Sequence, residues 1–94
     1  MTDTTTQASA TANICNTRGL HARASAKFVT LASSQPTMVA VEKDGSEVTG
    51  TSIMGLMMLG AAIGDSITIS ASGDGAEQAV GALAELVEGK FGED

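Results

Sequence analysis

Asp44-Gly45 is the feature that most constrains what this chain can fold into. Asp followed by Gly tolerates the positive φ angles that a two-residue hairpin turn demands. The residues before it alternate, with Val39 and Val41 opposed to Met38, Ala40 and Glu42. The spacing predicts strands over Met38–Lys43 and Ser46–Thr49, paired antiparallel through that turn. Such a hairpin is marginal alone, so the rest of the chain must cover its apolar face.

Two further strands are predicted by alternation. Ser66–Ser72 sets Ile67, Ile69 and Ala71 against Thr68 and Ser70. Ala8–Cys15 alternates more weakly, with Ala10, Ala12 and Ile14 on one side. Three segments carry helical periodicity instead. In the first, from Ala22 to about Ser33, Phe28, Leu31 and Ala32 share a face edged by Ala24 and Val29, and Pro36 lies beyond its end. The second, Ser52–Leu59, has Ser52 as a natural N-cap and Gly60 at its close. The third runs from about Gly75 to Gly89 with a stripe of Ala76, Ala79, Val80, Leu83, Leu86 and Val87. Gly81 inside it costs about 1 kcal/mol relative to alanine unless a close packing contact needs it. The order β-α-β-β-α-β-α indicates an α+β domain with helices on one sheet face. The domain is expected over residues 8–90. Residues 1–7 are expected as a disordered N-terminal tail and 91–94 as a C-terminal tail.

Composition narrows the function. Ninety-four residues make one small domain with little room for a deep cavity. With one Cys and one His, neither an internal disulfide nor a Cys/His zinc cage can be built from this chain alone. No metal or cofactor is expected. No apolar run is long enough to cross a bilayer, and Met1–Gln7 lacks the basic and apolar stretches of a signal peptide. A cytoplasmic protein with a reduced Cys15 is therefore expected. A net charge of −6 without Trp or Tyr argues against nucleic acid. Yet no acidic residue lies between Asp3 and Glu42, and Arg18, Arg23 and Lys27 fall inside that gap around His21. A local basic patch on an acidic protein suits an anion or an acidic partner surface. A chance gap in the charge pattern is the plainer alternative.

His21 stands where the loop Asn16–Gly19 gives way to the first helix, at the position Ser, Thr, Asp or Asn normally takes. Imidazole is a nucleophile. The first turn offers the unpaired N–H groups of Ala22 and Arg23, which suit an arriving phosphate, and Arg23 can add a charge-assisted contact. An ordinary exposed His beside a helix start satisfies the same local facts. Ser52 is likewise explained in full by its capping role. Ile53, Met54, Met57 and Met58 give the short helix more apolar sides than it can bury, so part of this set is expected as an interface.

Gly19-Leu20-His21-Ala22-Arg23, followed by a helix, resembles the active-site signature of HPr, the phosphocarrier family of the bacterial phosphoenolpyruvate-dependent phosphotransferase system. Thr51–Met57 is similar to the family's regulatory-serine segment, and Gly64–Gly73 to its last strand. These matches occur in family order across residues 8–90. The resemblance implies an open-faced β-sandwich, four antiparallel strands covered on one face by three helices. It implies that His21 accepts a phosphoryl group at Nδ1 and that Arg23 stabilises it. Ser52 becomes the counterpart of the serine modified by HPr kinase/phosphorylase. Ile53, Met54 and Met57, with Lys27, fall on the docking face for Enzyme I and EIIA-type domains. The protein would act as a monomeric carrier and not as an enzyme in the turnover sense. The nitrogen-related branch of the system, with a regulatory role and no sugar transport, is the close alternative. A binding module that has lost phosphotransfer is a third reading. The family signature usually has proline after the arginine, where this chain has Ala24.

Overall fold

The hairpin forms at the place its turn residues dictate. In the computed structural model, which describes residues 7–93, Lys43 pairs with Ser46 across Asp44 and Gly45. Both turn residues have positive φ, 53° and 86°, as a right-twisted two-residue turn requires. The Gly45 N–H donates to the Glu42 carboxylate at 2.6 Å. The flanking strands are β2 (Val39–Lys43) and β3 (Ser46–Thr49).

β1 (Gln7–Asn13) and β4 (Ser66–Ser72) complete an antiparallel sheet in the order β1-β4-β2-β3. Registers align the apolar positions in one row. Ala10 lies opposite Ile69, Ile69 opposite Val41, and Val41 opposite Val48. This face packs under the helices α1 (Ala22–Ser33), α2 (Ile53–Met58) and α3 (Ala76–Glu88). Phe28 of α1, Leu56 of α2 and Leu83 of α3 are completely buried against it. The other face is open, a shallow polar trough that includes Ser9, Ala40, Thr49 and Ser70. The predicted α+β sandwich, with four strands and three helices, is the observed one.

Boundaries shift by a residue or two. β1 ends at Asn13: the Ile14 N–H still donates to the Asp65 carbonyl at 2.8 Å, but the Asp65 N–H turns to the Ala62 carbonyl and Gly64 donates to Ile14 in its place. Met38 falls outside β2. Ser25, not Leu31, completes the fully buried face of α1, and Leu86 of α3 is half-buried. Gln7, expected in the N-terminal tail, pairs with Ser72 in β1, and residues 1–6 lie outside the described residues.

The larger correction is at the other end. Residues 91–93, expected in a tail, are packed. Lys90–Gly92 forms a short terminal turn in which all three residues have positive φ, at 62°, 55° and 76°. Lys90 and Phe91 adopt a conformation that non-glycine residues seldom take. Phe91 is 1% exposed and belongs to the core, and its burial offsets that backbone cost. A domain end at residue 90 would cut away this anchor.

Gly81 sits on the exposed side of α3, and a Cβ placed there meets nothing within 4 Å. No packing contact requires it. Gly81→Ala is therefore expected to raise stability by about 1 kcal/mol, seen as a higher urea midpoint with an unchanged slope.

Candidate functional site

The loop before α1 is built from its own backbone and one side chain. Asn16, completely buried, donates its amide to the Gly19 carbonyl at 2.8 Å, while the Gly19 N–H donates to the Asn16 carbonyl at 3.2 Å. Gly19 has φ 65°, and a Cβ there would lie 2.4 Å from the Ala61 carbonyl oxygen. Only glycine lets the loop lean this closely on residues 61–62, just past α2. The Leu20 N–H then donates to that same carbonyl at 3.0 Å, which ties the loop to the end of α2.

His21 is the N-cap of α1, with extended backbone (φ −73°, ψ 179°) and no capping bond from its side chain. The first helical bond runs from the Ser25 N–H to the His21 carbonyl at 2.8 Å. The N–H groups of Ala22, Arg23 and Ala24 precede that bond and are left over by the helix. The His21 side chain is 21% exposed. Arg23 is exposed at the second helical position and makes no ion pair or side-chain hydrogen bond among the described residues. Ala24, where the family signature has proline, is fully buried and needs no helical partner for its N–H.

Lys27 lies one turn on. It does not project freely, because its ammonium donates to the Phe91 carbonyl at 2.8 Å and pins the terminal turn. That turn brings in the residue the sequence reading missed. Glu93 places Oε2 2.5 Å from His21 Nε2, and its Oε1 accepts from the Asn16 amide at 3.1 Å. Burial pushes the Glu93 carboxyl up, but hydrogen bonds from Asn16 and His21, with the charges of His21 and Lys27, hold it below the ordinary carboxylate range. The signal that could have found it is Phe91, one of only two phenylalanines, between Gly89 and Gly92 where a solvated tail has no use for an aromatic ring.

Ser52 caps α2, accepting from the Gly55 N–H at 2.9 Å. Leu56 and Leu59 turn inward. Ile53 (40% exposed), Met54 (72%) and Met57 (43%) turn outward with Met58, all four in the set from which an interface is expected, and Ile63, outside that set, is exposed as well. This apolar surface and the His21 loop meet at residues 61–62. Among the described residues there is no group of His, Cys, Asp and Glu that could hold a metal, and no helix is long and apolar enough to cross a membrane.

Fold and site together define a small α+β domain that displays one imidazole at a helix start beside an apolar surface. Comparisons with known proteins agree on what such a domain is. The family described as "PTS HPr component phosphorylation site" matches residues 8–89. A phosphocarrier protein HPr of Neisseria meningitidis is 50% identical over 80 residues, covering 85% of this chain and 90% of that protein. A phosphocarrier protein NPr of Shewanella violacea is 38% identical over 80 residues, with 85% and 88% covered. The crystal structure of HPr-C-His from Thermoanaerobacter tengcongensis superposes with a TM-score of 0.87 at 46% identity, covering 93% of this chain and 98% of that one. The chain belongs to the HPr family, the phosphocarriers of the phosphotransferase system.

The lowered Glu93 carboxyl has a pH consequence. A carboxylate depressed in the fold contributes stability above its ordinary value of 4.5, and the contribution is lost as pH falls through its lower folded value. The Phe91 ring resonances are therefore expected to hold constant down to pH 4.5 and to move only below it, as the terminal turn loosens. Movement beginning well above pH 4.5 would count against this anchoring.

Proposed function

We propose that His21 is the phosphoryl acceptor, taking the group from phospho-Enzyme I and donating it to EIIA-type domains. The observation that carries this reading is the accessible imidazole at the N-cap of α1, next to three backbone N–H groups and one guanidinium. These groups form a positive end for phosphate oxygens. Arg23, with its planar fork free in solvent, is suited to close on those oxygens as they arrive. Ala24 adds no reactive group and removes none, so its departure from proline leaves the chemistry in place. Transfer between two imidazole nitrogens changes the energy little, and positioning with electrostatic stabilisation carries the rate. The protein serves as co-substrate of the transfer and works as a monomer.

Docking falls to Ile53, Met54 and Met57, with Met58 and Ile63 extending the patch. Flexible methionines suit a surface that meets several partners in turn. Lys27 acts at this surface indirectly, through the turn it pins. Ser52 is the regulatory position. A phosphate added there by HPr kinase/phosphorylase would sit at the start of α2 and put charge on the docking face.

A second reading, the nitrogen-related branch, is favoured by the likeness to the Shewanella NPr. It shares the acceptor, takes the group from a nitrogen-type Enzyme I, and differs in the EIIA partner served.

The test incubates the protein with phosphoenolpyruvate and Enzyme I, reading intact mass. The wild type is expected to gain one acid-labile phosphoryl group and His21→Ala none, with its fold unchanged. Uptake by His21→Ala at the wild-type rate would remove His21 from the role. Offering the phosphoprotein to sugar-type and nitrogen-type EIIA domains then separates the branches. For Ser52, aspartate keeps the cap while adding charge. Ser52→Asp is expected to stay folded and to raise the KM of Enzyme I for this carrier, and equal kinetics would leave Ser52 with its capping role alone.

A further inference from the structure

Glu93 is 72 residues from His21 in sequence, and a chain of contacts brings its carboxylate to the ring. Phe91 is sunk in the core, and its carbonyl is held by Lys27. The Glu93 N–H donates to the Lys90 carbonyl at 2.8 Å, which closes the terminal turn. Asn16, itself locked to Gly19, grips Oε1 and aims Oε2 at Nε2. A surface glutamate meeting a histidine by chance would not be held from both sides.

A neutral imidazole carries its proton on one nitrogen and a lone pair on the other. An ionised carboxylate can only accept, so its partner nitrogen must be the one bearing the proton. Glu93 thereby places the proton on Nε2 and the nucleophilic pair on Nδ1, which has no hydrogen-bond partner among the described residues.

We propose that Glu93 is a positioning residue for phosphoryl transfer, selecting Nδ1 as the nucleophile and balancing the ring charge that transfer creates; this rests on His21 being the acceptor. The Nδ1 lone pair forms the bond to phosphorus while the bond from phosphorus to the donor's leaving group breaks, its electron pair departing with that group. The proton stays on Nε2, so the phosphorylated ring is cationic, and the Glu93 carboxylate faces that charge. On donation the N–P bond breaks, the pair returns to Nδ1, and the ring is neutral again. A carboxylate orienting a histidine through its second nitrogen follows the same physical logic in metal sites and hydrolases.

The experiment uses phosphoramidate, which gives its phosphoryl group to imidazoles and releases ammonia without protein docking. His21 is the only histidine, so every phosphohistidine signal in nitrogen-15 labelled protein reports on it. Wild type is expected to be phosphorylated at Nδ1. Glu93→Ala is expected to give a mixture that includes Nε2. Glu93→Gln keeps the shape and loses the charge. It is expected to react about tenfold more slowly, the difference between a charge-assisted and a neutral hydrogen bond. A purely structural role for Glu93 would raise amide exchange at Phe91 and leave phosphorylation at Nδ1, so exchange at Phe91 is followed beside the site of phosphorylation. Both variants reacting at Nδ1 at the wild-type rate would overturn the proposal. Wild type that takes no phosphoryl group on His21 would instead overturn the acceptor assignment, and this inference with it.

Discussion

The structure depends on burying one face of a four-stranded sheet. Ile69 stands at its middle, paired with Ala10 on one side and Val41 on the other, and it is completely buried. Because side chains alternate along a strand, a slip of one residue would turn that face to solvent. Register and helix placement are thus one constraint. The helices cover a single face because the alternate positions, Thr68, Ser70 and Ala40, are polar or small and cannot support a second apolar layer. The small residues on β1 keep that covered face shallow, and Phe28 and Phe91 supply bulk from the helix side.

That arrangement gives the site its geometry. The helix start that carries His21 reaches the surface because α1 covers the sheet along one flank only, through Ala24, Phe28 and Ala32. The loop before it has no freedom of its own. Gly19 is pressed on the Ala61 carbonyl and Asn16 is buried beneath it, so the imidazole rises from a rigid base. Rigidity matters for phosphoryl transfer, where the protein's part is alignment and charge. The same contact at residues 61–62 ties the loop that carries His21 to the segment just past α2, the helix that bears the exposed methionines.

Phe91 shows how a single aromatic residue can convert a chain end into part of a site. Its burial holds two non-glycine residues at positive φ, a conformation with no local support. The turn so formed presents a carbonyl to Lys27 and a carboxylate to His21 and Asn16. The basic patch read from the charge gap is therefore partly neutralised. Lys27 is engaged and an acid reaches the imidazole, while Arg18 in the loop and Arg23 at the helix start face solvent.

The sequence by itself determined the elements and singled out His21 as the candidate acceptor. Alternation, Asp44-Gly45 and the helical stripes are local patterns, and the strands and helices they predict are those observed within a residue or two. His21 was legible because a histidine at an N-cap is locally out of place, and the signature around it is continuous in the chain. The tertiary structure alone decided what surrounds that histidine. Lys27 reads as a free cation until the Phe91 carbonyl is seen beside it. Residues 91–93 read as a tail because glycines and charges leave no periodicity. The one local hint at Glu93 is Phe91, and what places the carboxylate is the burial of that ring against elements more than sixty residues away. Local propensity cannot encode such a contact, because the energy that holds it exists only once the core has formed.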